Sequence, residues 1–125
     1  MTTYLLIALG GAAGAVLRYW VDTTVSRWTG ATFPYGTLVV NLSGSFALGL
    51  LFAIVIERSL LPPELRPALM IGVLGAYTTF STWMLESWRL VEDGAWLHAL
   101  ANIGGSALLG LGAVWLGIVI GRVVS

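Results

Sequence analysis

The sequence predicts an all-α membrane protein with four transmembrane helices per chain, and composition, segment length and punctuation together predict it. Of 125 residues, 58% are hydrophobic, and the mean hydropathy is +0.90, against about 45–50% apolar content in a soluble domain. Only 10% are charged, where ordinary globular proteins carry about 25%. A soluble fold of this length has too little interior to hide that apolar surface, so its solvent is lipid. Segments near the ~20 apolar residues that a span requires occur four times, at 4–25, 36–56, 67–90 and 96–123. None alternates with period 2, which excludes strands. The chain reads as one domain, 1–125.

The first span opens on MTTYLLIALGG, which lacks the positive n-region of a cleavable signal and is expected to be retained. It carries one in-span charge, Arg18, and leaves the membrane through SRWTGATFPYG. The second span places Thr37, Asn41 and Ser45 at i, i+4 and i+8, one helical face, and exits through ERSLLPPELRP. In the third, GAYTTFSTW at 75–83 gathers hydroxyls and aromatic rings at membrane depth. Hydrocarbon supplies no partner for a hydroxyl, so this cluster faces protein, water or a solute. Thr79, Thr82 and Glu86 share a face there, with Phe80 and Trp83 forming the adjoining stripe. After the VEDG turn, the fourth span aligns His98, Asn102 and Ser106. Three helices thus carry a polar seam each, the pattern of a path or a shared interface. Taken singly, membrane Ser and Thr commonly bond their own helix backbone, Glu86 and His98 stand near span ends, and Arg18 can snorkel to a headgroup.

An even number of spans puts both termini on one side. That side collects Arg58, Arg66 and Arg122, and the opposite side Arg27 and Arg89. Lys/Arg asymmetry sets orientation, and three against two is little asymmetry. Two readings follow: weakly biased insertion in one direction, or dual topology with identical chains pairing antiparallel. Gly10 with Gly14, Ser45 with Gly49, and Gly117 with Gly121 repeat at four-residue spacing, which lets helices approach closely and suits an oligomer.

Several function classes are excluded. The net charge is zero and there is no basic run, so nucleic acid is not a partner. Without cysteine there is no disulfide or thiolate chemistry. One histidine and one in-span glutamate do not assemble a nucleophile with its base or a carboxylate pair, and no phosphate-binding loop is present. The chain is not expected to be an enzyme.

GGAAGAVLRYW at 10–20, GTLVVNLSGSF at 36–46 and GVLGAYTTFSTW at 72–83, in that order and with those separations, resemble the CrcB/Fluc family of small fluoride channels, and NIGGSALLG at 102–110 matches more loosely. The resemblance implies an antiparallel, dual-topology homodimer in the cell membrane with two fluoride pores. These let fluoride leave the cytoplasm passively and reduce its toxicity. It also implies a third helix broken near Gly75–Thr79, whose Gly75 and Thr78 carbonyls offer themselves to a structural sodium ion at the dimer centre. Asn41, Thr79, Ser81, Thr82 and Ser106 are then pore donors, Phe80 and Trp83 present positive ring edges, and Arg18 stands in the vestibule. Glu86, Thr37 and Asn102 are further pore or gate candidates. The family motif commonly ends TTFSTF, and here its last position is Trp83, an indole that adds bulk and an N–H donor; Ala76 replaces a frequent second glycine. Two alternatives belong to other classes. A proton-coupled small multidrug exporter of dual topology needs an acid early in the first span, where this chain has none before Asp22. A non-conducting membrane structural protein explains the glycines but not three polar seams.

Overall fold

The computed structural model describes residues 1–124. Among them are four helices long and apolar enough to cross a membrane, Thr2–Thr29, Tyr35–Glu57, Pro63–Glu92 and Trp96–Val124, each within a few residues of its predicted bounds. The first is one helix, α1 (Thr2–Thr29), closed by Gly30 in the left-handed conformation, whose N–H bonds the Ser26 carbonyl. The second is α2 (Tyr35–Leu51), continued by a wider π turn at Phe52–Glu57. The third begins with a 3-10 turn at Pro63–Leu65 and a π segment at Ala68–Val73. It then runs through α3 (Leu74–Tyr77), breaks, and resumes as α4 (Ser81–Glu92). Gly94, at φ 76, turns the chain into α5 (Trp96–Leu100), a π segment at Ala101–Gly105 and α6 (Ser106–Val124). Hydropathy marks lengths and not hydrogen-bond registers, so the π turns have no signature in the sequence.

Two close helix pairs organise the bundle: α2 lies along α6, and α1 along the Ala68–Val73 segment and α3. Glycine decides both. A Cβ on Gly14 would run into the Val73 backbone, and one on Gly117 into the Phe46 carbonyl. Gly10 and Gly49 sit equally hard against backbone, at Ala68 and Val114. The small-residue spacing is therefore used inside one chain, binding span 1 to span 3 and span 2 to span 4. Because backbone cannot step aside, Gly14→Ala is expected to destabilise by about 3 kcal/mol. The measurement is recovery of folded protein on size exclusion in detergent, where the variant should aggregate and wild type should not.

At one end Arg122 pairs with Glu57 at 2.9 Å, and Arg58 donates to the Arg122 carbonyl at 2.8 Å. Spans 2 and 4 thus end together, with Arg58 and Arg122 on the shared side expected of them. Trp20, Trp28, Trp88, Trp96 and Trp115 are exposed on the outer faces, as lipid-facing and interfacial tryptophans are. Trp83 alone among the tryptophans is half-buried.

Candidate functional site

The site is the break in the third span. Thr78 is extended, at φ −79 and ψ 159, and from it the main chain rejoins a helix only at Ser81. The interruption thus lies at the C-terminal end of the range expected for it, and Gly75 still belongs to the last turn of α3. A break at membrane depth leaves polar backbone groups that must find partners, and the neighbouring helices supply several. The Leu74 carbonyl accepts both the Thr78 N–H and the Thr78 hydroxyl, each at 3.0 Å. Arg18 reaches from α1 and donates Nε–H to the Ala76 carbonyl at 3.2 Å, a cation at a helix C-terminus. Asn41 on α2 grips Thr79 twice: its Oδ1 accepts the Thr79 N–H at 2.8 Å and its Nδ2 donates to the Thr79 carbonyl at 2.9 Å. The Thr82 N–H turns to the Thr79 hydroxyl oxygen at 3.2 Å.

Among the described residues these exchanges leave three carbonyls without their helical donors, those of Gly75, Tyr77 and Thr78, since Ser81 N–H makes no bond to the Tyr77 carbonyl either. In a continuous helix Gly75 would receive the Thr79 N–H and Thr78 the Thr82 N–H; both donors are engaged by side chains instead. Two of the three, Gly75 and Thr78, are the residues the resemblance names for sodium.

The hydroxyls divide into two sets. Thr78, Ser43 and Ser87 bond backbone carbonyls of their own helix, Thr37 donates to Glu86, and Ser106 donates to Asn102 Oδ1 at 3.4 Å. Among the described residues the hydroxyl protons of Ser45, Thr79, Ser81 and Thr82 have no protein acceptor, and neither has the second Nδ2–H of Asn41. Neutral donors without acceptors are what a small anion needs in place of water.

An open groove of about 410 Å³ runs along this face, lined among others by Asn41, Ser45, Thr79, Phe80, Trp83 and Ser106. Gly44 forms part of its floor, where a Cβ would collide with the Thr78 methyl. Phe80 and Trp83 meet at 5.6 Å between ring centroids and 84° between planes, an edge-to-face pair whose two rings both line the groove. Phe80 is 70% exposed, so the groove is a half-channel rather than a closed pore. On the other side of Thr79 lies a hollow of about 10 Å³ among Arg18, Asp22, Thr37, Thr79 and Thr82, close to the least volume that holds one water. Glu86 closes on this side through Thr37. The Thr79–Thr82–Glu86 seam thus belongs to the hollow, Phe80 and Trp83 to the groove, and Thr79 to both. Ser81 is exposed at the start of α4.

Residues 5–118 match the family described as CrcB-like protein, Camphor Resistance (CrcB). The chain belongs to the CrcB family. It is similar to a protein of Magnetococcus marinus, 49% identical over 94% of this chain and 96% of that one. A protein of Solibacter usitatus is 47% identical over 95% and 98%, and one of Hahella chejuensis 51% identical over 94% and 93%. All three carry the name Fluoride-specific ion channel FluC. With four membrane-length helices, this CrcB chain is a multi-pass integral membrane protein.

One expectation for this CrcB member needs correction. The Trp83 N–H is not offered to the groove: Nε1 donates to the Asn102 carbonyl in the π segment of span 4, at 2.9 Å. With its N–H engaged, the indole lines the groove through carbon atoms alone. Asn102 itself is 1% exposed and donates Nδ2–H to Ser87 at 2.8 Å, which places it behind the aromatic pair and out of the groove. Ser87 and the Ser43–Tyr77 contact at 2.8 Å carry no signal among the aligned seams. Their only hint is that Ser87 stands four residues after Trp83. Trp83→Phe should leave fluoride selectivity intact and raise the rate about twofold to tenfold, since it removes bulk but no ion ligand; one lost hydrogen bond of about 1 kcal/mol should lower the melting temperature slightly. Liposome flux and thermal unfolding check the two halves separately.

Proposed function

We propose that this chain is one subunit of a fluoride-selective channel through which fluoride leaves the cytoplasm down its gradient. The observation that carries the reading is the set of neutral donors without a protein acceptor, the second Nδ2–H of Asn41 and the hydroxyls of Ser45 and Thr79 in the groove beside Phe80 and Trp83, with those of Ser81 and Thr82 next to it at the break. Fluoride is small and strongly hydrated, so entry requires several donors to replace its water. A fixed cation in the narrows would hold it too long, because conduction needs release as well as capture. Hydroxyls, an amide and C–H edges bind without trapping. Arg18, committed to the Ala76 carbonyl and half-buried, adds positive potential beside the path. The relatives named as fluoride channels support the ion, and a channel of this kind is not an enzyme.

Two copies pairing antiparallel fit the groove, which lacks a wall on its exposed side, and fit the near-balance of arginines at the two ends. In that assembly a sodium ion held by the Gly75 and Thr78 carbonyls is a structural cofactor. Hard carbonyl oxygens suit a hard alkali cation, and these two have lost their helical donors. The ion would cancel their uncompensated negative ends at membrane depth. Fluoride, lipid and a second copy of the chain are then its partners.

Expression in cells lacking fluoride export tests the reading. Growth in millimolar fluoride should be restored, and restoration should need an intact Asn41. Unchanged fluoride sensitivity, with the protein present in the membrane, would remove the proposal. Labelling of a C-terminal tag from both sides of the membrane tests dual topology, and strictly one-sided labelling of active protein excludes it.

A further inference from the structure

Behind the aromatic pair lies a closed ring of hydrogen bonds that the ion path does not need in order to exist. Trp83 Nε1 donates to the Asn102 carbonyl at 2.9 Å, Asn102 Nδ2 donates to Ser87 Oγ at 2.8 Å, and Ser87 Oγ donates to the Trp83 carbonyl at 2.8 Å. Ser87 and Asn102 are 2% and 1% exposed. Each polar atom in the ring has a partner, so the ring is held as satisfied buried networks are. Its one adjustable part is the indole, whose ring meets Phe80 and lines the groove.

An indole beside an anion path has two faces to offer. Its N–H is a strong donor, and a hydrogen bond from it to fluoride is charge-assisted, about twice as strong as a neutral one. Its C–H rim is weakly positive. The first would hold the ion and the second would pass it. Phenylalanine presents only the second kind of edge, so a chain with tryptophan at this position has a choice that needs fixing.

Resting on the channel reading above, we propose that Ser87 and Asn102 are positioning residues that turn the Trp83 N–H away from the path and so keep fluoride release fast. Neither residue touches the ion. Ser87 orients the Asn102 side chain, and the Asn102 carbonyl, in the π segment at Ala101–Gly105, accepts the indole N–H. Releasing Ser87 removes the acceptor for Asn102 Nδ2 deep in the protein, where an unmet donor is costly. Relieving that donor shifts the main chain at Asn102, whose carbonyl is the indole's anchor, and Ser87 no longer ties the Trp83 carbonyl.

The test is a double-mutant cycle on fluoride flux in liposomes, comparing Ser87→Ala in the Trp83 chain and in Trp83→Phe. In the Trp83 chain, maximal flux should fall about fivefold and the half-saturating fluoride concentration should fall with it, the mark of an ion held more tightly. In Trp83→Phe, where there is no N–H to restrain, Ser87→Ala should change both by less than about twofold. Equal losses in the two backgrounds, or loss of maximal flux with an unchanged half-saturating concentration, would mean that Ser87 only supports the fold. No loss in either would mean the ring does not position Trp83. If Ser87→Ala fails to give folded protein, Ser87→Cys keeps the volume with a poor hydrogen-bonding atom and is put through the same cycle. Absence of fluoride flux in the unmutated chain would instead overturn the channel reading itself.

Discussion

Asn41→Asp is expected to reduce fluoride flux on the order of 100-fold while leaving the protein folded. The substitution keeps the shape of the side chain and the oxygen that accepts the Thr79 N–H. It replaces the Nδ2 that donates to the Thr79 carbonyl with a second oxygen, so two acceptors face each other across the 2.9 Å contact. It also removes the remaining N–H, the one with no protein acceptor, and sets a carboxylate in the path of an anion. Each change acts in the same direction. Flux is read with a fluoride electrode outside loaded liposomes, and folding by size exclusion. Near-normal flux would make Asn41 a brace for the break and nothing more.

Phe80→Ile should lower fluoride flux about tenfold, less than the loss at Asn41 because one ring edge among several contacts is removed. Isoleucine is an apolar side chain without a positive rim. Phe80 is 70% exposed in the single chain, so its loss should not unfold the subunit, and a fall in flux reports on the path. Leucine or methionine at the same position should resemble isoleucine, whereas tyrosine should retain much of the flux. Normal conduction by Phe80→Ile would reduce the Phe80–Trp83 pair to packing.

What could be read in advance follows from the range of the interactions concerned. Spans and their ends depend on local hydropathy, Gly and Pro, and all four lie within a few residues of expectation. The polar seams depend on helical periodicity, which placed Thr37 with Asn41 and Thr79 with Thr82 on shared faces. Periodicity says nothing about which neighbouring helix a face meets. It therefore missed that Asn41 holds Thr79, 38 positions on, and that the Trp83 N–H crosses to Asn102, 19 positions on. Ser87 was invisible because a helical serine that bonds its own backbone, as this one does, looks like every other such serine. The glycine spacing was legible as close approach, but not its location, which proved to be within the chain. The register change at Ala101–Gly105, the segment that holds Asn102, has no compositional mark.

If neutral donors and ring edges at the helix break carry the ion, the protein passes fluoride and refuses larger halides. Purified protein in liposomes, loaded in parallel with equal concentrations of fluoride or chloride and opened with the same potassium ionophore, tests it directly. Rapid fluoride efflux is expected, with chloride efflux no greater than from protein-free vesicles. Equal efflux of the two ions, or none of either from folded protein, would contradict it.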